Sequence, residues 1–353
     1  MRSAVIHGAG DVRIENRPEP LVLTPGDAVL RVAVSCVCGS DLWSYRGVSP
    51  VRSPRPIGHE LVGVVEALGD DVTSVQIGDL VVVPFSLNCG ACQACRSGYP
   101  SVCESMTMVG GLDRAGLQLD GAQGERVRIP LAQASLRPVG ISEADAEARG
   151  LLPHLLALAD VMPTGYHAAA SAHVQPGDVV AVVGDGAVGL CAVLAARMLG
   201  AERVIIMSRH ADRAALAREF GATDVVAERG GEAAEAVRSL LGGNLVDAAL
   251  ECVGTKESMD QALAVVRGGG NVGFVGVPAG GPELSIRELF TRNVGVKGGM
   301  SSARHYLDVL LPKVLDGTIE PGKVFDRTVL LDDLADAYEL MDSRQAIKVL
   351  VRP

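Results

Sequence analysis

The sequence predicts a doubly wound α/β fold preceded by a β-rich region, and two patterns along the chain indicate it. After residue 178, continuous apolar runs alternate with amphipathic helical patterns, which is typical of a parallel sheet covered by helices on both faces. Before about residue 140, short Val- and Leu-rich runs are separated by Gly, Pro and Asp. Many short strands at such spacing predict a partly closed β-barrel.

The individual elements follow in order from these patterns. In the β-rich region, turn-forming clusters such as Pro25-Gly26-Asp27 bound predicted strands at 28–34, 61–68 and 79–84. Helical patterns replace the strands between about 150 and 174. The α/β region predicts strands at 179–184, 203–207, 224–227, 246–251 and 271–275, and helices at 187–199, 212–220, 232–241 and 256–267. The remaining residues predict helices near 303–315 and 331–341 and a strand at 347–352.

Composition excludes several classes of protein. Hydrophobic residues make up 48% of the chain and charged residues 21%, which is typical of a folded globular protein. The formal net charge of −10 and the 3% of aromatic residues argue against a nucleic-acid binder. The chain lacks an apolar run of membrane-spanning length and a secretory signal. We therefore predict a cytoplasmic protein, whose cysteines stay reduced.

A glycine motif follows the first strand of the α/β region. Gly184-Asp185-Gly186-Ala187-Val188-Gly189 matches G-x-G-x-x-G and opens a predicted helix, the context in which this motif indicates a dinucleotide site. Its glycines permit a tight turn and a close approach of the backbone to a pyrophosphate, which the helix N-terminus attracts. The alternative is a tight strand–helix turn that binds no ligand.

The end of the second strand indicates which dinucleotide binds. NAD sites place Asp or Glu about 20 residues after the motif begins, where it bonds the ribose hydroxyls. The sequence instead reads Met207-Ser208-Arg209-His210. Ser208 can donate to a 2′-phosphate and Arg209 can pair with it, so NADP(H) is predicted over NAD. The alternative for Arg209 is a solvated charge at a helix start.

Four cysteines crowd into one short segment. Their spacing is C-x2-C-x2-C-x7-C, and four thiolates in one loop suit a closed, tetrahedral structural zinc site. An iron–sulfur cluster uses the same ligands, and four unrelated buried thiols are the third alternative. The cysteines are Cys89, Cys92, Cys95 and Cys103.

Two further segments of the β-rich region carry metal-ligand residues. Cys38-Gly39-Ser40-Asp41 offers a thiolate, and His59-Glu60 offers an imidazole beside a carboxylate, a combination that suits zinc. With the cysteine segment and the glycine motif, these stretches make the chain resemble the zinc-dependent medium-chain alcohol dehydrogenases over essentially its whole length. The span from Gly58 through Gly63, Gly69 and Val72 is similar to that family's zinc signature, and the segment from Cys38 is similar to its first ligand segment.

The resemblance implies a domain organisation and two zinc ions per chain, one catalytic and one structural. Residues 1–160 would form the first part of a GroES-like catalytic domain, with a structural zinc lobe near 89–103. Residues 161–296 would form an inserted Rossmann-type NADP-binding domain. Residues 297–353 would return to the catalytic domain.

The resemblance also assigns the catalytic centre. Cys38 and His59 are similar to catalytic zinc ligands, and Glu60 is similar to the adjacent carboxylate that binds or swings onto the metal. Asp160 occupies the position of the third ligand, where many members have a second Cys. Ser40 resembles the hydroxyl that passes the alcohol proton outward.

Further positions are implied for the substrate and the cofactor. Trp43 stands where the family often has a relay histidine, and with Phe85 and Val277 it predicts an apolar pocket for a medium-sized apolar or aromatic ketone or aldehyde. Besides the glycine motif, Ser208 and Arg209, the cofactor-binding residues implied are Thr164, Cys252, Val253, Val275 and Val277.

We therefore predict a zinc-dependent oxidoreductase that transfers a hydride between NADP(H) and an alcohol/carbonyl pair, forming a homo-oligomer with a tetramer favoured over a dimer. One alternative is a zinc-dependent polyol or threonine-type dehydrogenase that uses NAD. A second is a non-catalytic nucleotide-binding regulatory protein. A third, a zinc-ribbon nucleic-acid binder, disagrees with the acidic charge.

Overall fold

The computed structural model describes residues 1–278 and 284–353, and these divide into two compact units. The first unit comprises Met1–Asp160 and Ser302–Pro353, and the second comprises Val161–Ser301. The first unit is therefore built from two separate stretches of the chain. Within the described residues, no helix is both long and apolar enough to cross a membrane.

Strands occur in both units. They are β1 (Arg2–Gly8), β2 (Asp11–Asn16), β3 (Ala28–Cys36), β4 (Arg55–Pro56), β5 (Leu61–Leu68), β6 (Leu80–Val83), β7 (Ser86–Leu87), β8 (Thr107–Met108), β9 (Arg126–Ile129), β10 (Arg137–Pro138), β11 (Val179–Val183), β12 (Arg203–Met207), β13 (Asp224–Val226), β14 (Val246–Glu251), β15 (Val266–Phe274), β16 (Gly295–Gly298), β17 (Arg327–Leu330) and β18 (Val349–Arg352).

Helices are concentrated after residue 140. They are α1 (Asp41–Tyr45), α2 (Gln93–Arg96), α3 (Ala132–Ser135), α4 (Glu143–Ala148), α5 (Leu152–Ala157), α6 (Val161–Ser171), α7 (Ala187–Met198), α8 (Ala211–Glu219), α9 (Gly231–Leu240), α10 (Lys256–Val265), α11 (Ile286–Arg292), α12 (Ala303–Leu315) and α13 (Leu334–Asp342), with short 3₁₀ turns at Pro100–Val102, Pro321–Val324 and Leu331–Asp333.

The main sheet of the first unit is built around β3. Its strand order is β10-β6-β5-β3-β18-β17, and β9 also pairs with β3. The strand β18, from the second stretch of the chain, pairs antiparallel with β3 and sets Leu350 opposite Cys36. This pairing returns the C-terminal residues to the β-rich region, as the predicted fold class requires.

Alternating side chains of these strands form the apolar core of the first unit. Leu30, Leu61, Val81 and Val127 belong to one buried cluster inside the sheet. A second cluster joins α13, through residues such as Ala337, to β1 and β18. The polar residues described below therefore lie within an apolar surrounding that favours paired charges over isolated ones.

The second unit contains a parallel sheet in the order β13-β12-β11-β14-β15-β16. Helices α7 and α10 both pack on β11 and β14. In such a sheet, ligands bind beyond the carboxyl ends of the strands where the strand order reverses, which here lies between β11 and β14. The prediction of a doubly wound sheet, combined with a β-rich domain, is confirmed.

Most predicted elements differ from their observed bounds by two residues or fewer, and two elements begin differently. The strand β15 begins at Val266 rather than 271 because the glycines at 268–270 continue the strand across an irregularity in its pairing with β14. Glycine lacks a side chain that would resist this extended, irregular backbone. The helix predicted at 331–341 begins instead as a 3₁₀ turn at Leu331–Asp333 before α13.

Candidate zinc and dinucleotide sites

Four predicted ligand residues come together in the first unit. The ligand atoms of Cys38, His59, Glu60 and Asp160 all lie within 4.8 Å of one another. The Nε2 atom of His59 is 3.6 Å from Asp160 Oδ2 and 3.9 Å from Glu60 Oε1. The Cys38 Sγ atom is 3.9 Å from Asp160 Oδ2. Residues 122 positions apart in the sequence therefore converge on one point.

Asp41 fixes the segment that carries Cys38. Its Oδ2 atom accepts a hydrogen bond of 3.0 Å from the backbone N–H of Cys38, just before α1 begins. Its Oδ1 atom lies 3.4 Å from His59 Nδ1, on the ring edge opposite the cluster. A carboxylate at this position orients an imidazole ligand and selects its tautomer.

A buried chain of hydrogen bonds supports Asp41 in turn. The Tyr338 hydroxyl of α13 donates to Gln123 Oε1 at 2.9 Å, and Gln123 Nε2 donates to Asp41 Oδ2 at 3.2 Å. Gln123 also packs against Gly58, where a Cβ would lie 2.6 Å from the glutamine Cγ and the φ angle is +95°. Only glycine allows this turn, which places His59 before β5.

Glu60 forms a buried ion pair. Its Oε1 atom accepts a hydrogen bond of 2.7 Å from Lys348 Nζ, and both side chains are 1% exposed. The ammonium also donates to the carbonyl of Val37, next to Cys38, at 3.3 Å. The Oε2 atom of Glu60 is buried and has no hydrogen-bond partner among the described residues. A buried oxygen of this kind is a candidate ligand for a cation.

Asp160 lies in the short connection between α5 and α6. The backbone N–H of Phe85 donates to the carbonyl of Ala159 at 3.0 Å, which holds this connection beside the end of β6. The Phe85 ring lies edge-on to His59, with 6.3 Å between the ring centroids. An apolar side chain therefore borders the cluster.

The donor set fits a zinc ion. Zinc binds sulfur, nitrogen and oxygen at about 2.0–2.3 Å in a tetrahedron, so its ligand atoms lie roughly 3.3–3.8 Å apart. The separations of 3.6 and 3.9 Å come close to this range. Glu60 contributes a carboxylate oxygen to the same cluster, and its Oε2 atom has no hydrogen-bond partner among the described residues.

The four-cysteine segment forms a second cluster. The sulfur atoms of Cys89, Cys92, Cys95 and Cys103 lie within 4.8 Å of one another. Backbone hydrogen bonds from Cys95 and Glu104 lower the pKa of Cys92 to about 6. Burial and the neighbouring sulfurs raise the pKa of Cys95 to about 12. Without a cation among them, the four sulfur atoms therefore do not all ionise at neutral pH, and this closed set of four ligands suits a structural zinc ion.

The glycine motif connects β11 to α7 in the second unit. Gly184 has a φ angle of +112°, and a Cβ at this position would lie 2.7 Å from the side chain of Val253, which follows β14. The buried carboxylate of Glu251 accepts hydrogen bonds of 2.8 Å from the backbone N–H groups of Val253 and Gly254. The loops after β11 and β14 therefore lie together where the strand order reverses.

Ser208 and its neighbours have partners that the sequence did not predict. The Ser208 hydroxyl donates to Asp185 Oδ2 at 2.6 Å, and His210 Nδ1 lies 2.8 Å from the same oxygen. Arg213 Nη1 is 3.5 Å from Asp185 Oδ1. Arg209 is exposed, and its Nε donates to the carbonyl of Ala227 at 3.0 Å.

The other predicted site residues are placed as follows. Ser40 is exposed at the start of α1, and Trp43 is half-buried within it. In the second unit, Thr164 is buried in α6, and Cys252 directly follows β14. The remaining two lie beyond β15, where Val275 is buried and Val277 is exposed.

Comparisons with known proteins match both units. Residues 24–138 match the family model of the alcohol dehydrogenase GroES-like domain, and residues 187–315 match the zinc-binding dehydrogenase model. A probable zinc-binding alcohol dehydrogenase of Mycobacterium tuberculosis is 35% identical over the whole chain and 89% of that relative. This chain belongs to the zinc-binding alcohol dehydrogenase family. It is therefore an oxidoreductase of the zinc-type alcohol dehydrogenases, and small-molecule alcohols are the substrates that fit the family.

Solved structures of family members are similar over the full chain. An alcohol dehydrogenase from Thermus sp. ATN1 is 32% identical, with a TM-score of 0.90 over all of this chain and 99% of its own. A putative zinc-binding dehydrogenase from Sinorhizobium meliloti, solved bound to NADP, is 26% identical, with a TM-score of 0.83 over 100% of this chain and 99% of its own. Among relatives compared by sequence alone, a glutathione-independent formaldehyde dehydrogenase of Bacillus subtilis is 30% identical over the whole chain and 97% of that relative.

Sequence reasoning missed two of the polar residues that support the cluster. Gln123 gives no local signal, because its partners Asp41 and Tyr338 are 82 and 215 residues away. Lys348 does give one, since it is a lone charge in the otherwise apolar run before β18. A buried lysine needs a counter-ion, so this pattern predicts a partner without identifying it.

The ion pair leads to a stability prediction. Lys348→Met leaves the buried Glu60 carboxylate without its counter-ion, and we expect the free energy of unfolding to fall by about 3–5 kcal/mol. Adding Glu60→Gln should recover most of this loss, because the uncompensated charge is then gone. Urea denaturation of the zinc-loaded variants measures both values.

The control is Lys323→Met, which removes an exposed lysine 2.7 Å from Glu320. An exposed pair contributes about 1 kcal/mol at most, so this variant should unfold nearly as the wild type does. Equal losses in the two single variants would contradict the prediction.

Proposed function

We propose that the protein is an NADP(H)- and zinc-dependent alcohol dehydrogenase or carbonyl reductase. The observation that carries the proposal is the convergence of Cys38, His59, Glu60 and Asp160 within 4.8 Å, beside an apolar ring and an unpartnered buried oxygen. A nucleotide-binding protein without catalysis has no need for such a donor set. The chemistry of these groups therefore favours an enzyme.

Cys38, His59 and Asp160 would hold the catalytic zinc ion. When bound, zinc acts as a Lewis acid toward an alcohol or carbonyl oxygen. Asp41 keeps the His59 ring oriented with its Nε2 toward the cluster. The Phe85 ring excludes water on one side of that histidine. Ser40, exposed at the start of α1, would accept the alcohol proton and pass it to solvent.

Glu60 and Lys348 would keep the centre's charge balanced. With one oxygen held by the ammonium and the other unpartnered, the Glu60 carboxylate can bind a cation or remain beside it. Cys89, Cys92, Cys95 and Cys103 would hold the second, structural zinc ion.

The second unit would bind the nicotinamide cofactor, which exchanges the hydride with the substrate carbon. We assign the preference to NADP(H) because no carboxylate follows β12 directly and because Arg209, Arg213 and Arg229 supply positive charge there. Burial and the charge of Arg209 lower the pKa of Arg229, which indicates that the two guanidinium groups lie within electrostatic range. Such a cluster suits the dianionic 2′-phosphate.

The substrate class follows from the surroundings of the catalytic cluster. Phe85 lies against His59, and Trp43 lies on α1, three residues beyond Ser40. These two residues would favour a medium-sized apolar or aromatic aldehyde or ketone over a polyol.

The first prediction of this proposal concerns the catalytic zinc ion. Cys38→Ser should lose this ion and keep the structural one, halving the zinc content, and carbonyl reduction by NADPH should fall by about a thousandfold. Metal analysis and a panel of ketones, aldehydes, polyols and formaldehyde measure the two effects. Cys36→Ala, a change of a buried cysteine on β3, should keep both ions. Equal turnover by wild type and Cys38→Ser would refute the zinc mechanism.

The second prediction concerns the phosphate. Arg209→Gln removes one positive charge from an exposed residue, so we expect the KM for NADPH to rise about tenfold while the KM for NADH stays constant. Arg218→Gln changes the same charge at the far end of α8 and should alter neither value. If the two variants behave alike, Arg209 does not contact the 2′-phosphate.

We also propose a homo-oligomer, with a tetramer favoured over a dimer. Strand β16 lies at one edge of the parallel sheet, and the nearby helix α11 exposes 72% of Ile286 and 81% of Phe290. Exposed apolar side chains beside an open strand edge are typical of subunit interfaces. Light scattering should give a mass of several chains, and Phe290→Glu should lower it. A monomeric wild type would exclude this proposal.

A further inference from the structure

The loop between β11 and α7 carries a carboxylate that neither turn geometry nor phosphate binding requires. Asp185 is the variable residue after the first glycine of the motif, and its side chain is 13% exposed. One of its oxygens accepts from Ser208 at 2.6 Å and lies 2.8 Å from His210 Nδ1. The other is 3.5 Å from Arg213. These partners all lie on the segment that follows β12.

The position of the Asp185 carboxylate bears on how the cofactor's ribose is recognised. In dinucleotide-binding sheets, the carboxylate that bonds the ribose hydroxyls is the side chain at the end of the second strand. That position is Ser208, which directly follows β12. Because Asp185 Oδ2 is one hydrogen bond from Ser208 Oγ, the glycine loop supplies a carboxylate next to the place where the strand end lacks one.

We propose that Asp185 is a specificity-determining residue that opposes the arginines after β12 and moderates the preference for a 2′-phosphorylated cofactor. The proposal rests on the NADP(H) assignment made above. Asp185 repels the 2′-phosphate and competes with it for Ser208, His210 and Arg213. An unphosphorylated ribose meets no such repulsion, so NAD(H) remains a usable cofactor.

The charge on Asp185 is well supported. Burial alone would raise its pKa, but the hydrogen bonds from His210 and Ser208 and the positive charge of Arg213 lower it. Asp185 is therefore an anion at neutral pH. A phosphate that binds among Arg209, Arg213 and Arg229 would then approach a fixed negative charge in a partly buried site, where screening by water is weak.

A purely structural role is the competing explanation. Asp185 connects the glycine loop to residues 208–213 by several hydrogen bonds, and it could act only by holding this segment in place. The two roles differ in what they predict for a neutral side chain of the same shape. Asp185→Asn keeps an acceptor oxygen and removes the charge, whereas Asp185→Glu keeps the charge and lengthens the side chain.

The experiment measures the binding of two cofactor fragments by calorimetry. ADP-ribose and 2′-phospho-ADP-ribose are titrated into the zinc-loaded wild type and the two Asp185 variants, and the ratio of their affinities is compared. Neither fragment carries nicotinamide, so turnover is not needed. The matched control is Asp224→Asn, which neutralises a carboxylate paired with Arg203 at the amino-terminal edge of the same sheet.

We expect Asp185→Asn to raise the ratio in favour of the phosphorylated fragment by about tenfold, since a nearby charge in a partly buried site commonly contributes that much. Asp185→Glu and Asp224→Asn should leave the ratio within about twofold of the wild type. An unchanged ratio in Asp185→Asn, or an equal loss of both affinities, would overturn the proposal and leave Asp185 with a structural role.

The same data separate this inference from the cofactor assignment. If the wild type binds ADP-ribose more tightly than its 2′-phosphate, the NADP(H) preference is wrong, whatever Asp185 does. The inference about Asp185 is judged only by how the ratio changes when the charge is removed. Circular dichroism of each variant verifies that the fold is intact.

Discussion

One buried ammonium group connects the last strand of the first unit to the segments that carry the candidate zinc ligands. Lys348 Nζ binds Glu60, the neighbour of His59, and the carbonyl of Val37, the neighbour of Cys38. Removing two charges from water costs more than a single contact returns unless the geometry is favourable. Two apolar side chains in place of Glu60 and Lys348 would stabilise the fold equally well. The ion pair therefore matters for the position of the two ligand segments. It fixes both ligand segments relative to β18.

A second set of polar contacts, on the other side of His59, also fixes the position of the candidate ligands. The chain from Tyr338 through Gln123 to Asp41 crosses an apolar region that contains α13 and β1. A fully satisfied network of this kind is rigid, because breaking one bond leaves a buried group without a partner. The cluster therefore has little freedom to rearrange when its own ligand atoms change partners.

Local patterns were sufficient to predict much of the fold, and less of the site. Apolar runs bounded by glycine predicted the parallel sheet because its central strands are buried along all but one residue of their length, as β11 and β14 show. The four cysteines could be grouped because all of them lie in one segment. Asp160 could be placed beside Cys38 only by resemblance, since 122 residues separate them. Asp185 was predicted only as part of the cofactor-binding glycine motif, because its pairing with Ser208 depends on how two loops pack.

The order of the two units along the chain has a consequence for how the protein is made. Glu60 and Lys348 are 288 residues apart, and the whole second unit is synthesised between them. Pairings of such long sequence range form slowly, and parts of large chains fold as they emerge from the ribosome. During synthesis, the part of β3 that pairs with β18 therefore stays unpaired until β18 has been made. The Glu60 carboxylate likewise stays without its ammonium partner until then. The second unit can fold in that interval, so the ion pair beside the candidate zinc ligands is among the last contacts of the molecule to form.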